Sequence, residues 1–377
     1  MSKKVLIFSM TYLPLVGGAE IAVKEITDRL VDFEFDLVAA RLDKKISSFE
    51  RIGRINIYRV GRGCVLDKYL FPFLAYFRAK ELHQKNNYQI VQAIMAFYAG
   101  LAALFFKWRF RRVKYLLTMQ SGDSDLFIWL RTWFWRPIYK KIYTEPDYIQ
   151  AISRFLFKRA RKYGYRGEGE IVPNGVDIKK FSPGFNQLAL KKKLGIKQGE
   201  KIIVTVSRLV KKNGVDDLIK AGQYLNFPFK ILIAGCGPDE KKLKRLAKEL
   251  NLGDKVLFLG LIGHNNLREY ISLGHVFVRP SLSEGLGNVF LEAMATGVPV
   301  IGTRVGGIPD FLKDGETGLF CQVRNPRSIA GKIKEILRNQ SLRKTLAKNG
   351  LALIRSGYYD WKSIALKMNK IYQRINQ

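Results

Sequence analysis

Short runs of β-branched and other apolar residues alternate along this chain with stretches in which apolar positions recur every three or four residues. The first pattern reads as buried strands and the second as amphipathic helices, and their alternation is the signature of a parallel sheet covered on both faces. Val5–Ser9 is predicted as the opening strand, followed by a helix over Ala19–Leu30 with Ala22, Val23, Ile26 and Leu30 on one side. Phe35–Ala40, Ile55–Val60, Ile90–Ala93, Lys114–Met119 and Tyr148–Ile152 complete a first sheet. After the turn at Val172–Asp177 a second series begins, with strands over Lys201–Ser207, Phe229–Ala234, Lys255–Leu259, His275–Arg279, Val298–Ile301 and Gly318–Cys321. Its helices are predicted over Val215–Gln223, Glu240–Leu250, Leu267–Ser272, Val289–Thr296 and Arg327–Arg338. The Gly- and Pro-rich stretch Gly164–Gly184 is the expected linker. The expectation is therefore two doubly wound α/β domains, residues 1–170 and 171–355. The final segment 356–377, with its helical stretch Trp361–Ile375, either closes the second domain or crosses back to the first. In such folds ligands bind at the C-terminal ends of the strands, which predicts a cleft between the two domains.

Composition changes this picture in one respect. The 377 residues carry 65 Lys+Arg against 32 Asp+Glu, a formal charge of +33. A field of that sign favours an anionic partner, be it a nucleic acid, an anionic membrane or a phosphorylated substrate, and says nothing of fold. Cys64, Cys236 and Cys321 lie far apart, no Cys-x-x-Cys occurs and there are only three histidines, so a structural zinc site is not expected and the thiols are read as reduced. The start of the chain runs straight into a strand, unlike a secretion signal. The longest apolar run, Ala93 to Phe106, is too short to span a bilayer and contains Gly100, so it reads as a strand-to-helix unit. A cytoplasmic protein is expected, peripheral to the inner face of a membrane if anything.

The chemistry concentrates in residues 279–295. A strand ends at Arg279, a loop punctuated by Gly285 and Gly287 follows, and a helix begins near Asn288. The glycines permit close backbone approach to a ligand. The helix start offers unpaired N–H groups and the positive end of a dipole, a setting suited to phosphate. Glu284 precedes the helix and Glu292 sits about one turn inside it, ~6 Å further along the axis. Two carboxylates in contact with a phosphate would repel it, so they make better sense as acceptors for sugar hydroxyls on either side of it. The alternative is a Gly-rich turn with a capping Asn288 and two solvated glutamates.

These residues resemble a known family. From about Ala151 to Lys334 the chain is similar to the retaining glycosyltransferases of the GT-B fold, specifically glycosyltransferase family 4. The resemblance rests on the Glu284/Glu292 pair, Gly297–Asp310 with Asp314–Phe320, Pro173–Asp177, Ser207–Val210 and Ile233–Pro238, and extends to Gly17–Glu20 in the first domain. It implies transfer of a hexosyl unit from a UDP- or GDP-sugar to an acceptor hydroxyl with retention at the anomeric carbon, in cell-surface glycan or glycolipid synthesis. The acceptor would be a sugar, a lipid-linked glycan or a polysaccharide. By the same resemblance Glu292 binds the donor ribose, Glu284 holds hydroxyls of the transferred sugar, and the backbone of Gly285, Leu286, Gly287, Asn288 and Val289 lines sugar and phosphate. Arg208 meets the diphosphate, where its planar fork suits phosphate oxygens, and Gly17 and Gly18 approach the β-phosphate from the first domain. Two departures stand out. Where the family commonly has Lys, this chain has Asn213 preceded by Lys212; either Lys212 reaches the same phosphates or Asn213 donates a neutral hydrogen bond. Where many members carry a histidine after the strand Lys114–Met119, this chain has Gln120, whose carbonyl could orient a sugar hydroxyl but which cannot act as a base. Asp123 and Asp125 follow, as proton acceptors or as caps of the next helix. Of the histidines, His83 reads as exposed, His275 as packed and His264 as part of a helix-entry loop, the alternative being a cleft-loop residue bordering the nucleotide base. No cofactor or metal is expected for donor binding. A catalytically weak nucleotide-sugar-binding protein is the alternative, and a basic nucleic-acid-binding protein a more distant one that no motif supports.

One further segment is unusual. Between Lys107 and Arg166 lie 15 Lys+Arg and 4 Asp+Glu, interleaved with aromatic residues that include Trp129, Trp133 and Trp135. This blend is the composition of an interfacial surface for anionic membranes. The competing reading buries those aromatics in the core of the first domain.

Overall fold

The computed structural model describes residues 3–15 and 17–377, and the chain divides into two compact units, Met1–Asn174 with Trp361–Gln377 and Gly175–Asp360. The first unit is built on eight strands: β1 (Lys3–Ser9), β2 (Phe33–Ala40), β3 (Phe49–Ile52), β4 (Ile55–Val60), β5 (Ile90–Ile94), β6 (Lys114–Met119), β7 (Tyr148–Ala151) and β8 (Glu168–Ile171). Their order is β3-β4-β2-β1-β5-β6-β7-β8, and every pairing is parallel except the antiparallel pair of β3 with β4. The helices are α1 (Gly18–Thr27), α2 (Asp67–Asn86), α3 (Tyr98–Arg109), α4 (Asp125–Thr132), α5 (Arg136–Thr144) and α6 (Arg154–Lys162). Its core joins Val5, Ile7, Phe35 and Leu37 of the sheet to Trp361, Ile364, Met368 and Tyr372 from the last helix of the chain. That helix, Trp361–Ile375, buries residues three and four apart, the spacing that lays one stripe along a neighbour. The Tyr372 hydroxyl donates to Gln92 at 2.6 Å, anchoring it inside the first unit.

The central strands fall where hydrophobic pattern predicts them. The two edge strands, β3 and β8, do not announce themselves in the sequence, and the reason is physical. Each has only one neighbour and alternates exposed with half-buried residues, so Phe49–Ile52 and Glu168–Ile171 lack the continuous apolar run of a buried parallel strand. β8 also lies within the stretch predicted as a linker, and the units part just after it, at Asn174.

The second unit carries a six-stranded, all-parallel sheet in the order β11-β10-β9-β12-β13-β14. Its strands are β9 (Lys201–Val206), β10 (Phe229–Ala234), β11 (Val256–Gly260), β12 (Val276–Val278), β13 (Val300–Thr303) and β14 (Leu319–Cys321). Its helices are α7 (Leu188–Lys193), α8 (Val215–Ala221), α9 (Glu240–Glu249), α10 (Leu267–Ser272), α11 (Asn288–Ala295), α12 (Pro326–Arg338) and α13 (Gln340–Arg355). The core draws Ile203, Ile231, Ile233, Val276 and Ile301 from the strands and Leu218, Leu243, Ile329 and Ile333 from the helices. The sheet order steps outward from β9 in both directions, which leaves a topological switch point between β9 and β12 and gathers the loops after them on one edge.

Candidate donor site

The sequence around that switch point dictates a tight turn. After β9 the chain runs through Ser207–Asn213 and turns at Gly214, whose φ of 66° is left-handed and where a side chain would meet the Pro280 carbonyl oxygen at 2.1 Å. Only glycine allows that contact, and it seats the loop after β9 against the loop after β12. Backbone bonds reinforce it: Leu282 N–H donates to the Lys212 carbonyl at 2.7 Å, and Leu209 N–H to the Cys236 carbonyl at 2.9 Å. The loops after β9, β10 and β12 thus form one bonded shelf.

On this shelf the predicted residues take distinct places. The Arg208 side chain is exposed and makes no hydrogen bond or ion pair among the described residues, so its guanidinium is available to an anion. Asn213, by contrast, is buried; its amide nitrogen donates to the Arg208 carbonyl at 2.6 Å and its amide oxygen accepts from Arg279 at 3.0 Å. Of the two alternatives raised by the sequence, Asn213 therefore serves the protein's own framework, and exposed Lys212 is the residue with a side chain at the surface. Arg279 also pairs with Glu284 at 2.7 Å, while the other Glu284 oxygen accepts from the Gly285 N–H at 3.0 Å. Sequence reasoning treated Arg279 only as a strand end. Its signal was an arginine directly before proline at the C-terminal end of a central strand, a position that faces ligand rather than core.

Helix α11 starts as expected, with one correction. The cap is Gly287, at a φ of 95°, and no side chain caps the helix, so the role of capping residue considered for Asn288 belongs to the glycine before it. The left-handed glycine redirects the chain at the positive end of the helix dipole, and the Phe290 N–H turns back to the Gly287 carbonyl at 2.9 Å. Leu286 is buried, so it contributes backbone, while Asn288 and Val289 are half-buried. One turn inside, Glu292 is buried, with one oxygen 3.0 Å from His264 Nε2 and the other without a hydrogen-bond partner among the described residues. A buried carboxylate oxygen left unpaired costs free energy, so it marks a place where a polar group belongs. His264 itself was read as part of a loop; the structure brings it against Glu292, with Lys180 on its far side and Phe181 beside its ring.

Gly17 precedes α1 and Gly18 opens it, in the loop after β1. A side chain at Gly17 would meet the Glu20 carboxylate at 2.6 Å, and Glu20 is buried, bonded to the Thr11 hydroxyl at 2.5 Å and raised above the usual carboxylate range by its burial. Gln120 follows β6, and its side-chain oxygen accepts from Asn174 at 2.9 Å, which uses one of that oxygen's two lone pairs. Neither following aspartate caps α4. Ser124 does, accepting from Phe127 N–H at 3.2 Å. Asp125 is held by Arg159 at 3.1 Å and Lys162 at 2.7 Å; burial draws its carboxyl upward, but those two cations outweigh it and keep the group below the ordinary range. His83 is half-buried against Phe110 and Phe106, which corrects the expectation of an exposed ring.

The basic aromatic segment faces outward. Trp129 is 49%, Trp133 66% and Phe134 71% exposed, whereas Trp135 packs edge-on against Phe97 and Tyr139 and is not part of that surface. An additional exposed row, Tyr69, Leu70, Phe73 and Phe77, lies on α2. Aromatic contacts run from Tyr69 to Tyr98 and from Phe97 to Trp135, linking α2 to the segment around Trp133. Arg131 lies over Phe97 and Phe127, and Lys141 over Trp108. Among the described residues no helix is long and apolar enough to cross a membrane, and no three His, Cys, Asp or Glu side chains gather as a metal cluster.

Comparison with known proteins bears on this geometry. Residues 186–352 match the family described as Glycosyl transferases group 1, and residues 16–180 match Glycosyltransferase Family 4. An uncharacterized glycosyltransferase of Methanocaldococcus jannaschii is 27% identical over 368 residues, 97% of each chain. A GDP-mannose-dependent monoacylated alpha-(1-6)-phosphatidylinositol monomannoside mannosyltransferase of Corynebacterium glutamicum is 31% identical over 247 residues, 62% of this chain and 64% of its own. Among solved structures, sucrose-phosphate synthase from Thermosynechococcus elongatus superposes with a TM-score of 0.87 at 24% identity, over 99% of both chains, a likeness that speaks for the fold.

Proposed function

The chain belongs to glycosyltransferase family 4, with the GT-B fold, and from that premise we propose that it transfers a hexosyl unit from a UDP- or GDP-sugar to an acceptor hydroxyl with retention of anomeric configuration. The observation that carries this reading is the ligand-ready edge of the second unit. There an Arg208 without a side-chain partner among the described residues, the glycine-capped start of α11, the Arg279-held Glu284 and the half-satisfied Glu292 lie on bonded loops and one helix. Arg208 and the helix N-terminus supply positive charge where the leaving diphosphate becomes more negative, which lowers the barrier by favouring the transition state over the bound donor. In the transfer, the bond between the anomeric carbon and the diphosphate oxygen breaks and a bond to the acceptor oxygen forms on the same face. The acceptor proton passes to the departing diphosphate, so the protein need only position and stabilise. Lys212 gives the site a second cation, and Glu284 accepts from sugar hydroxyls. The assay that tests the reading is turnover of a panel containing UDP-glucose, UDP-N-acetylglucosamine and GDP-mannose, with the product's anomeric configuration read by NMR. Binding of a donor without hydrolysis or transfer would favour the non-catalytic binding protein instead.

For the acceptor side, we place the first unit at an anionic membrane surface, where a lipid-linked or surface-glycan acceptor is presented. What supports this is the exposed row of Trp129, Trp133 and Phe134 beside Arg131, Arg136, Lys140 and Lys141, together with the aromatic face of α2. Exposed aromatic residues of this size, rimmed by cations, are costly in water and favourable at a lipid interface.

A further inference from the structure

We propose that Lys180 and His264 are positioning residues that hold Glu292 ready for the donor ribose, an inference that rests on Glu292 being the ribose acceptor. The three side chains form a line. Lys180 Nζ lies 2.9 Å from His264 Nδ1, and His264 Nε2 lies 3.0 Å from Glu292 Oε1. A lysine ammonium has only protons to give. The imidazole nitrogen facing it must therefore accept, which places the single ring proton of a neutral His264 on Nε2, pointing at the carboxylate. Lys180 thus selects the tautomer, and the tautomer makes His264 a donor to Glu292.

The rest of the neighbourhood holds this line in place. Lys180 also donates to the Asn265 side chain at 2.9 Å, fixing it to the loop that carries His264. Phe181 packs against the imidazole at 5.2 Å between ring centroids, limiting its rotation. Glu292 lies mid-way along the eight-residue helix α11, about one turn from either end, and its backbone cannot shift without the helix. With Oε1 occupied by His264, the carboxylate plane is set, and the buried Oε2 is left unpartnered among the described residues. One oxygen is spent on orientation and the other is kept for the ligand. A vicinal diol such as that of ribose can donate to such an oxygen and satisfy it. Orientation in advance matters because a side chain that must be ordered during binding gives back part of the affinity it provides.

The experiment compares ligands that differ only in the ribose hydroxyls. Calorimetry with UDP and GDP identifies the nucleoside diphosphate that binds; the same titration is then run with its 2′,3′-dideoxy form. His264→Ala should weaken the full nucleotide by about 10-fold and the dideoxy form by no more than about 2-fold, since the lost orientation matters only where the hydroxyls are present. His264→Gln, whose amide can both accept from Lys180 and donate to Glu292, should restore most of the affinity. Lys180→Met should show a smaller, equally ribose-dependent loss. Equal losses for the two nucleotide forms, or no loss in His264→Ala, would overturn the proposal. Glu292→Ala separates the two levels of the argument. If its loss is itself independent of the ribose hydroxyls, the ribose assignment fails; if it is ribose-dependent while that of His264→Ala is not, only the positioning role fails. Should His264→Ala not fold, His264→Gln and Lys180→Met carry the same comparison.

Discussion

In the second unit the loops after β9, β10 and β12 are bonded to one another, and the polar side chains on them are mostly engaged: Asn213 with Arg208 and Arg279, Arg279 with Glu284, Glu292 with His264. In the first unit the same kind of sheet presents loops whose notable side chains serve local structure, Glu20 holding Thr11, Gln120 holding Asn174 and Asp125 holding Arg159 and Lys162. What the first unit has instead is an outward-facing aromatic and basic surface that its own core does not use. Under the proposed function, one architecture serves two purposes. A preorganised polar site needs rigid, mutually bonded loops, because misplacement by even a small distance loses catalytic effect. A surface for a soft partner needs only exposed area and charge, and it tolerates loose ends. The contrast can be broken from either side.

The largest effect is expected on the first unit's surface. Replacing Arg131, Arg136, Lys140 and Lys141 with Gln should remove about 1 kcal/mol of membrane attraction for each residue, so binding to vesicles rich in phosphatidylglycerol should fall by roughly a thousandfold. Trp133→Ser with Phe134→Ser should weaken binding as well, but without changing its dependence on salt. Donor affinity, measured in the same preparations, should stay constant in both. Equal binding of the native protein to neutral and anionic vesicles would dissolve the division of labour.

Next is Arg208→Ala in the second unit. Because this guanidinium has no partner among the described residues, its removal should leave the fold and melting temperature intact while lowering transfer by about 100-fold, with a much smaller change in nucleotide affinity. A variant with native turnover would take Arg208 out of the site. Arg279→Leu should behave in the opposite way. It strands Glu284, which is largely buried, so the second unit should lose about 2–3 kcal/mol and melt several degrees lower. Adding Glu284→Gln should recover much of that stability without recovering transfer. If Arg279→Leu were silent in both assays, the shelf would be less tightly coupled than its bonds imply.

These residues also mark how far the sequence could be read. Central strands such as β1, β9 and β10 were legible because burial on both faces demands an unbroken apolar run. Edge strands β3 and β8 were not, since one face and one side are open to water. Helix α13 also escaped, its sequence from Gln340 to Arg355 being half charged or polar and burying only Leu346, Gly350 and Ile354. In the site, Glu284, Glu292 and Arg208 could be named because glycines, helix start and strand end fix their neighbourhood locally. Arg279 and Lys180 could not, nor could the contact of His264 with Glu292, because each acts through a partner between 5 and 84 positions away, and spacing along the chain carries no trace of such a contact. The exposure of Trp133 and the packing of Trp135, two residues apart, likewise depend on a short turn of 3₁₀ helix that periodicity alone does not resolve.

The smallest effect concerns acid stability and again sets the units against each other. Each holds one histidine whose burial disfavours the charged ring, His83 in the first and His275 in the second. For His275, burial together with the charges of Lys201, Arg343 and Lys191 lowers the pKa to about 4, and its Nδ1 accepts from the Ile202 N–H at 3.1 Å, which a protonated ring could not do. A histidine lowered on folding binds its proton more readily in the unfolded chain. Its contribution is therefore complete above the ordinary value near 6.5 and is lost as pH falls from there toward 4. With partial exposure discounted, about 1 kcal/mol should disappear by pH 5. Calorimetric scans at pH 7.5, 6 and 5 should show this loss in the second unit's transition, and His275→Gln, which keeps an acceptor but does not titrate, should flatten it. A slope unchanged by that substitution would take His275 out of the acid response and leave its contact with the Ile202 N–H at the base of β9 without a part in it.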